Sequence, residues 1–299
     1  MTLTTLNPHF GIANHIQFIE GKGGLPVAVV ENQYASASIS LYGAHVLSYV
    51  PRGESELLWM SPQSAFEVGK PIRGGIPVCF PWFGPHPSDT QLPVHGFARL
   101  QMWEVKETAV TIENEVKLVL TLEDNEATLN VWPHAFRLEL EVTVGKQLRV
   151  SLKIHNTGRT SFTTTNSLHT YFSVSDVENA SILGLGKLAY LDPAFKDQEL
   201  YQEEEVLSIS KEENRRYFTH EGACILKDPG TSREIKVEKT GSKVTVIWNP
   251  WKDTVKNIGD IPNEAYLNFV CIEQANAYDD ATTLAPGATH TLSLLVGKN

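Results

Sequence analysis

Three stretches of the 299-residue sequence gather side chains that can hold an anion or move a proton. The first, Pro71 to Arg99, sets Arg73-Gly74-Gly75 and His95-Gly96-Phe97-Ala98-Arg99 among six prolines and several aromatic residues. Glycine beside arginine lets backbone approach a ligand closely. The planar guanidinium matches a phosphate or carboxylate through paired hydrogen bonds, although the same arginines would also serve as partners for surface carboxylates. Cys79, His86 and His95 share the stretch, but their spacing fits no common zinc pattern, so no metal is expected. The second stretch is Thr163 to Phe172 (TTTNSLHTYF). Read as a strand, it puts Thr163, Thr165, Ser167, His169 and Tyr171 on one face. That polar and aromatic face is unusual for a core and suits the floor of a carbohydrate cleft, with His169 either a hydrogen-bonded structural residue or a proton carrier. The third, Ala265 to Ala275 (AYLNFVCIEQA), is an apolar, β-prone run that reaches Glu273. As a strand it places Glu273 on the face of Leu267, Phe269 and Cys271, where a carboxylate must be paired, neutral or functional.

The elements that would position these residues are mainly strands. Apolar and polar residues alternate over Ala35–Leu41, Lys117–Leu122, Leu138–Val144, Leu148–Ile154 and Thr289–Val296. Gly145-Lys146, Asn156-Thr157-Gly158 and Asp228-Pro229-Gly230 supply turns between neighbouring strands. Helix candidates are few: the stretch after Ser61 to Gly69, and Trp251 to Ile258 after Pro250. No repeat period and no linker-like run divides the chain. The expectation is an all-β, mainly antiparallel sandwich of two extensive sheets, forming one domain over residues 1–299.

Composition narrows the function classes. With 41% hydrophobic residues, 20% charged, 21 Gly and 16 Pro, the chain reads as globular rather than disordered or fibrous. Its 25 Lys and Arg against 35 Asp and Glu leave a formal net charge of −10, which disfavours nucleic acid and anionic membranes as general partners. A small anion remains compatible if a few arginines converge. Cys79, Cys224 and Cys271 are odd in number, widely spaced and set in apolar surroundings, so reduced core thiols and a reducing compartment are expected. Met1 to Gly21 carries no Lys or Arg and no signal-like apolar run, and no stretch is long enough to span a membrane. A cytoplasmic location is the expectation. Gly184-Leu185-Gly186-Lys187-Leu188-Ala189 matches a dinucleotide-binding pattern, but Pro193 follows and no crossover helix does. Walker A, GxSxG, HExxH and CxxC patterns are absent from the sequence.

Taken in order along the chain, several short elements resemble those of the hexose-6-phosphate mutarotases of the galactose mutarotase-like superfamily. They are Leu41-Tyr42-Gly43-Ala44-His45-Val46, Arg73-Gly74-Gly75-Ile76-Pro77, Phe80-Pro81-Trp82-Phe83-Gly84, His95-Gly96-Phe97-Ala98-Arg99, His169-Thr170-Tyr171-Phe172, Trp248-Asn249-Pro250-Trp251 and the Glu273 run. The resemblance implies a β-supersandwich and a cofactor-free, metal-free interconversion of α and β anomers of a hexose 6-phosphate. It implies His169 as the acid toward the ring oxygen and Glu273 as the base toward the anomeric hydroxyl, a division that requires one protonated and one ionised group at neutral pH. Arg73 and Arg99 would hold the 6-phosphate, while His95 and Asn214 would contact the sugar. Two departures bear on substrate preference. Val94 stands where the family often carries Gln, and Asn214-Arg215-Arg216-Tyr217 stands where it tends to carry Asp-Arg-x-Tyr. The expected partner is a small phosphosugar, the expected state a monomer. The alternatives are an aldose 1-epimerase of unphosphorylated sugars and a sugar-phosphate-binding protein without catalysis.

Overall fold

Alternating residues build two large antiparallel sheets. A computed structural model describes residues 2–196 and 198–299. The nine-stranded sheet runs, edge to edge, Val206–Ser208, Ser181–Leu183, Cys224–Asp228, Arg233–Thr240, Thr289–Lys298, Leu148–Asn156, Phe136–Val144, Val116–Glu123 and Glu104–Val110. Four of the five runs expected from periodicity fall here. Register explains why they pair: Leu120, Leu140, Leu152 and Leu292 stand opposite one another across four strands, all fully buried. Each buried leucine contributes roughly 1.5–3 kcal/mol, and a slip of one residue would turn the whole row to solvent.

The eight-stranded sheet carries Asn214 and Glu273 of the candidate residues. Its order is Glu199–Tyr201, Ala189–Leu191, Glu213–Tyr217, Val244–Asn249, Phe269–Asn276, Asn166–Leu168 and Val78–Cys79, with Tyr171–Ser173 also pairing onto Phe269–Asn276. Ile247 and Ile272 pair on one face and join Leu140, Leu152 and Leu292 in a single apolar cluster drawn from both sheets. A third sheet, Ile16–Glu20, Pro26–Glu31, Ala35–Ser40 and His45–Pro51, contributes Phe18, Ile39 and Tyr49 to the same cluster. Cys79, Cys224 and Cys271 are buried free thiols. No helix among the described residues is long and apolar enough to cross a membrane.

Three sequence expectations are corrected. Ser61 to Gly69 forms turns and bends, not a helix; its backbone is instead tied locally, as by Ser64 Oγ accepting from the Arg73 amide. Thr163 to Phe172 is not one strand but three, Phe162–Thr164, Asn166–Leu168 and Tyr171–Ser173, because successive pieces pair with different neighbours. Asn263–Asn268 is a 3-10 turn, so the third run becomes a strand only at Phe269, and Leu267 lies outside it. The Trp251–Ile258 expectation is met by a helix at Trp251–Thr254 followed by a 3-10 turn at Val255–Asn257.

One glycine controls the loop that carries His95 and Arg99. Gly96 has φ +74°, and a Cβ there would stand 2.1 Å from the Phe80 carbonyl oxygen. That oxygen accepts hydrogen bonds from the Phe97 and Ala98 amides at 2.9 and 3.1 Å. Gly96→Ala is therefore expected to destabilise the fold by about 2–4 kcal/mol in urea unfolding. An unchanged midpoint would show that the loop is not held as described.

Candidate active site

The Pro-rich segment lies along the broken strand. The Thr165, His169 and Tyr171 amides donate to the carbonyls of Pro81, Pro77 and Gly75 at 3.1, 3.0 and 2.9 Å. Gly75, at φ +60°, permits the approach: a Cβ would stand 2.2 Å from the Val46 oxygen. The result sets Arg73 beside Tyr171 and the Phe269–Asn276 strand.

At the centre stand His169 and Glu273, 6% and 2% exposed, with Nε2 3.4 Å from Oε1. His169 stacks on Tyr171 with centroids 4.9 Å apart and planes 10° from parallel. Its ring also meets His95 edge-on at 5.3 Å and Trp248 at 6.0 Å. Burial, then the charges of Arg73 and Arg99, push the imidazole well below its usual pKa. Burial pushes Glu273 well above the usual carboxylate range, with Arg216 and the Ser167 hydroxyl acting in the opposite direction.

The arginines flank this pair. Arg73 donates from Nε to both Asp260 carboxylate oxygens at 3.1 Å and from Nη1 to the Tyr171 hydroxyl at 3.0 Å. Arg99 sits on the 3-10 turn Ala98–Leu100, is 8% exposed, and donates from Nη2 to the Val94 carbonyl at 2.7 Å. Its Nε has no hydrogen-bond acceptor among the described residues. The Val94 side chain is 48% exposed, so it is the backbone of this departure, not its side chain, that orients Arg99. His95 holds a left-handed φ of +65°, and its Nδ1 accepts from the Gly84 amide at 3.0 Å. That bond puts the proton on Nε2 in the neutral ring. Burial, followed by Arg99, His169 and Arg73, keeps the ring neutral by pushing its pKa well below the ordinary value.

Thus Arg73, His95, Arg99, His169 and Glu273 form one cluster. Asn214 is placed by register: it pairs with Trp248, Trp248 with Cys271, and Cys271 with Tyr171, so it shares the face at a distance of three strands from Tyr171. Arg216, which sequence reasoning did not single out, pairs with Val246, itself opposite Glu273. The alternation Asn214, Arg216 was the available signal. Arg215, between them, points to the other face and binds the Glu213 carboxylate and Gln202. Asp260 was missed as well, since no local pattern links it to Arg73. A broad polar groove of about 900 Å³, lined in part by Asn7, His15, Glu31 and Arg52, shares no residue with this cluster. Among the described residues, no three His, Cys, Asp or Glu side chains are gathered to hold a metal ion.

Known proteins resemble the chain along most of its length. A family model described as aldose 1-epimerase matches residues 26–296. A protein of Salmonella typhimurium, provisionally named glucose-6-phosphate 1-epimerase, is 36% identical over 264 residues, covering 88% of this chain and 87% of its own. One of Cenchrus ciliaris, with the same provisional name, is 32% identical over 281 residues, covering 91% and 84%. The crystal structure of a provisionally assigned mutarotase from Salmonella typhimurium superposes with a TM-score of 0.89 at 31% identity, covering 97% of this chain and 95% of that one. A galactose mutarotase-like protein from Lactobacillus casei shares the fold, with a TM-score of 0.73 at 17% identity over 91% of this chain and all of its own.

Proposed function

The chain belongs to the aldose 1-epimerase family, and from that premise we propose that it interconverts the α and β anomers of a hexose 6-phosphate, glucose 6-phosphate first among them. The observation that carries this reading is the buried His169–Glu273 pair, 3.4 Å apart, with two arginines beside it. His169 Nε2 gives its proton to the ring oxygen as the C1–O5 bond breaks. Glu273 takes the proton of the anomeric hydroxyl, whose electron pair becomes the carbonyl of the open-chain aldehyde. Rotation about C1–C2 and reclosure with the roles reversed yield the other anomer and return both protons. The C1–O5 bond breaks and re-forms with no change of oxidation state, and His169 and Glu273 supply both proton transfers.

Arg73 and Arg99 would hold the 6-phosphate, His95 would donate from Nε2 to the sugar, and Asn214 would accept or donate at a hydroxyl. The provisional names of the relatives agree with the phosphorylated substrate. We read the protein as one domain, acting as a monomer in the cytoplasm on a small phosphosugar. One observation favours a second reading, an epimerase of neutral sugars: Asp260 already neutralises much of Arg73. Exchange NMR at anomeric equilibrium separates the two. Faster α/β exchange of glucose 6-phosphate than of glucose is expected. Acceleration of glucose alone would transfer the assignment to the second reading, and acceleration of neither would end both.

A further inference from the structure

The working direction of the reaction requires an imidazolium at residue 169 and a carboxylate at residue 273. These two forms hold the same number of protons as the neutral pair, so the question is where one proton sits. Around His169 the fixed charges are cationic. Arg73 reaches it through one ring, bonding the Tyr171 hydroxyl at 3.0 Å while Tyr171 stacks on His169 at 4.9 Å. Arg99 reaches it through another, bonding the carbonyl of Val94 next to His95, whose ring lies 5.3 Å from that of His169. Moving the proton to Nε2 would place a third cation beside these two in a site where burial strengthens every charge interaction. Asp260 offsets part of Arg73, and Arg216 lies on the face of Glu273. The remaining titratable neighbours bring no charge near neutrality: His45 is pushed down to about 4 by burial, and Cys79, Tyr171 and Cys271 are pushed up by it.

We infer that the substrate's 6-phosphate, on reaching Arg73 and Arg99, moves the proton of the buried pair from Glu273 Oε1 to His169 Nε2, so that the acid and base of ring opening are created by a remote group of the substrate itself. The O–H bond of Glu273 breaks, the N–H bond of His169 forms, and the charge of the pair stays zero overall. A dianion over the arginines cancels the two charges that oppose the imidazolium, while the carboxylate keeps Arg216 in its favour. Binding energy from the unreacting end is thereby spent at the reacting centre. This inference rests on the proposed reading of the site as one for a hexose 6-phosphate. It goes beyond that reading because the phosphate then sets kcat and not only KM.

The test is 15N NMR of the histidine-labelled full chain, with the His169 signal assigned by its loss in His169→Asn. The probes are 1,5-anhydroglucitol 6-phosphate, which has the ring and the phosphate but no anomeric hydroxyl, and 1,5-anhydroglucitol. At pH 7.5 the His169 ring is expected to be neutral before ligand and with saturating 1,5-anhydroglucitol, and to become an imidazolium with the phosphate ester. In parallel, kcat for glucose should fall short of kcat for glucose 6-phosphate by roughly 10²-fold, the equivalent of a two-unit change in proton affinity. A ring neutral with both probes, a ring already protonated before either, or equal kcat values would overturn the inference. Failure of the functional reading shows differently: glucose 6-phosphate exchange itself would not be accelerated. If that exchange is fast while the ring stays neutral, only the proton transfer is wrong.

Discussion

Glu273→Gln and His169→Asn are each expected to lower kcat for anomer exchange by roughly 10²-fold or more, with KM for glucose 6-phosphate little changed. The amide of Gln keeps the shape of the carboxylate but cannot take the proton of the anomeric hydroxyl. Asn keeps a polar atom near the position of Nδ1 but has none at Nε2 and cannot carry a proton to the ring oxygen. The two groups work as one unit, so the double variant should be scarcely slower than either single one. Stability separates this from simple unfolding. Burial raises the folded pKa of Glu273 above its unfolded value, so in the window between the two the native state binds more protons than the unfolded state. Stability supplied by that group is lost as pH rises through this window, and holding Glu273 protonated above its unfolded pKa is a cost at neutral pH. Glu273→Gln removes the cost and should melt at or above the wild-type temperature while losing turnover. Retention of the wild-type exchange rate by either single variant would remove the pair from the mechanism.

Much of this was legible from residue order, and the illegible part has definite physical causes. The long strands were readable because one face is buried along their length; Leu138–Val144 and Leu148–Ile154 alternate since each second side chain enters the core. The three pieces between Phe162 and Ser173 were not, because their partners change from Thr282–Leu284 to Phe269–Asn276 and Val78–Cys79, and pairing is decided by segments over 70 residues away. Period 2 still carried Ser167 and Tyr171 to the correct face, since each breaks and resumes against the same strand. Arg73 and Arg99 were readable through the glycines beside them. Asp260 was not, because its bond to Arg73 joins residues 187 apart. Arg216 lay in plain view beside Asn214, yet its nearness to Glu273 depends on a strand between them that only the fold supplies.

Arg99→Ala should reduce kcat/KM for glucose 6-phosphate by roughly 10²-fold or more, as truncating a buried charge-assisted contact costs about 3 kcal/mol, while free glucose turns over at an unchanged or higher rate. Arg99 is the cleaner of the two arginines to remove. Among the described residues it bonds a backbone carbonyl, which loses a single hydrogen bond, and its Nε is without an acceptor of its own. Arg73→Ala also strands the Asp260 carboxylate and the Tyr171 hydroxyl, so it would lower stability together with activity. Arg73→Lys keeps the charge but not the fork, and should retain Asp260 while weakening the phosphate contact. The rise for free glucose has a physical source: each arginine opposes protonation of His169, and a neutral sugar brings nothing to offset it. Steady-state exchange rates for both sugars on Arg99→Ala decide the matter. An equal loss for the two would mean that Arg99 supports the cleft without reading the phosphate, and the substrate class would return to neutral aldoses.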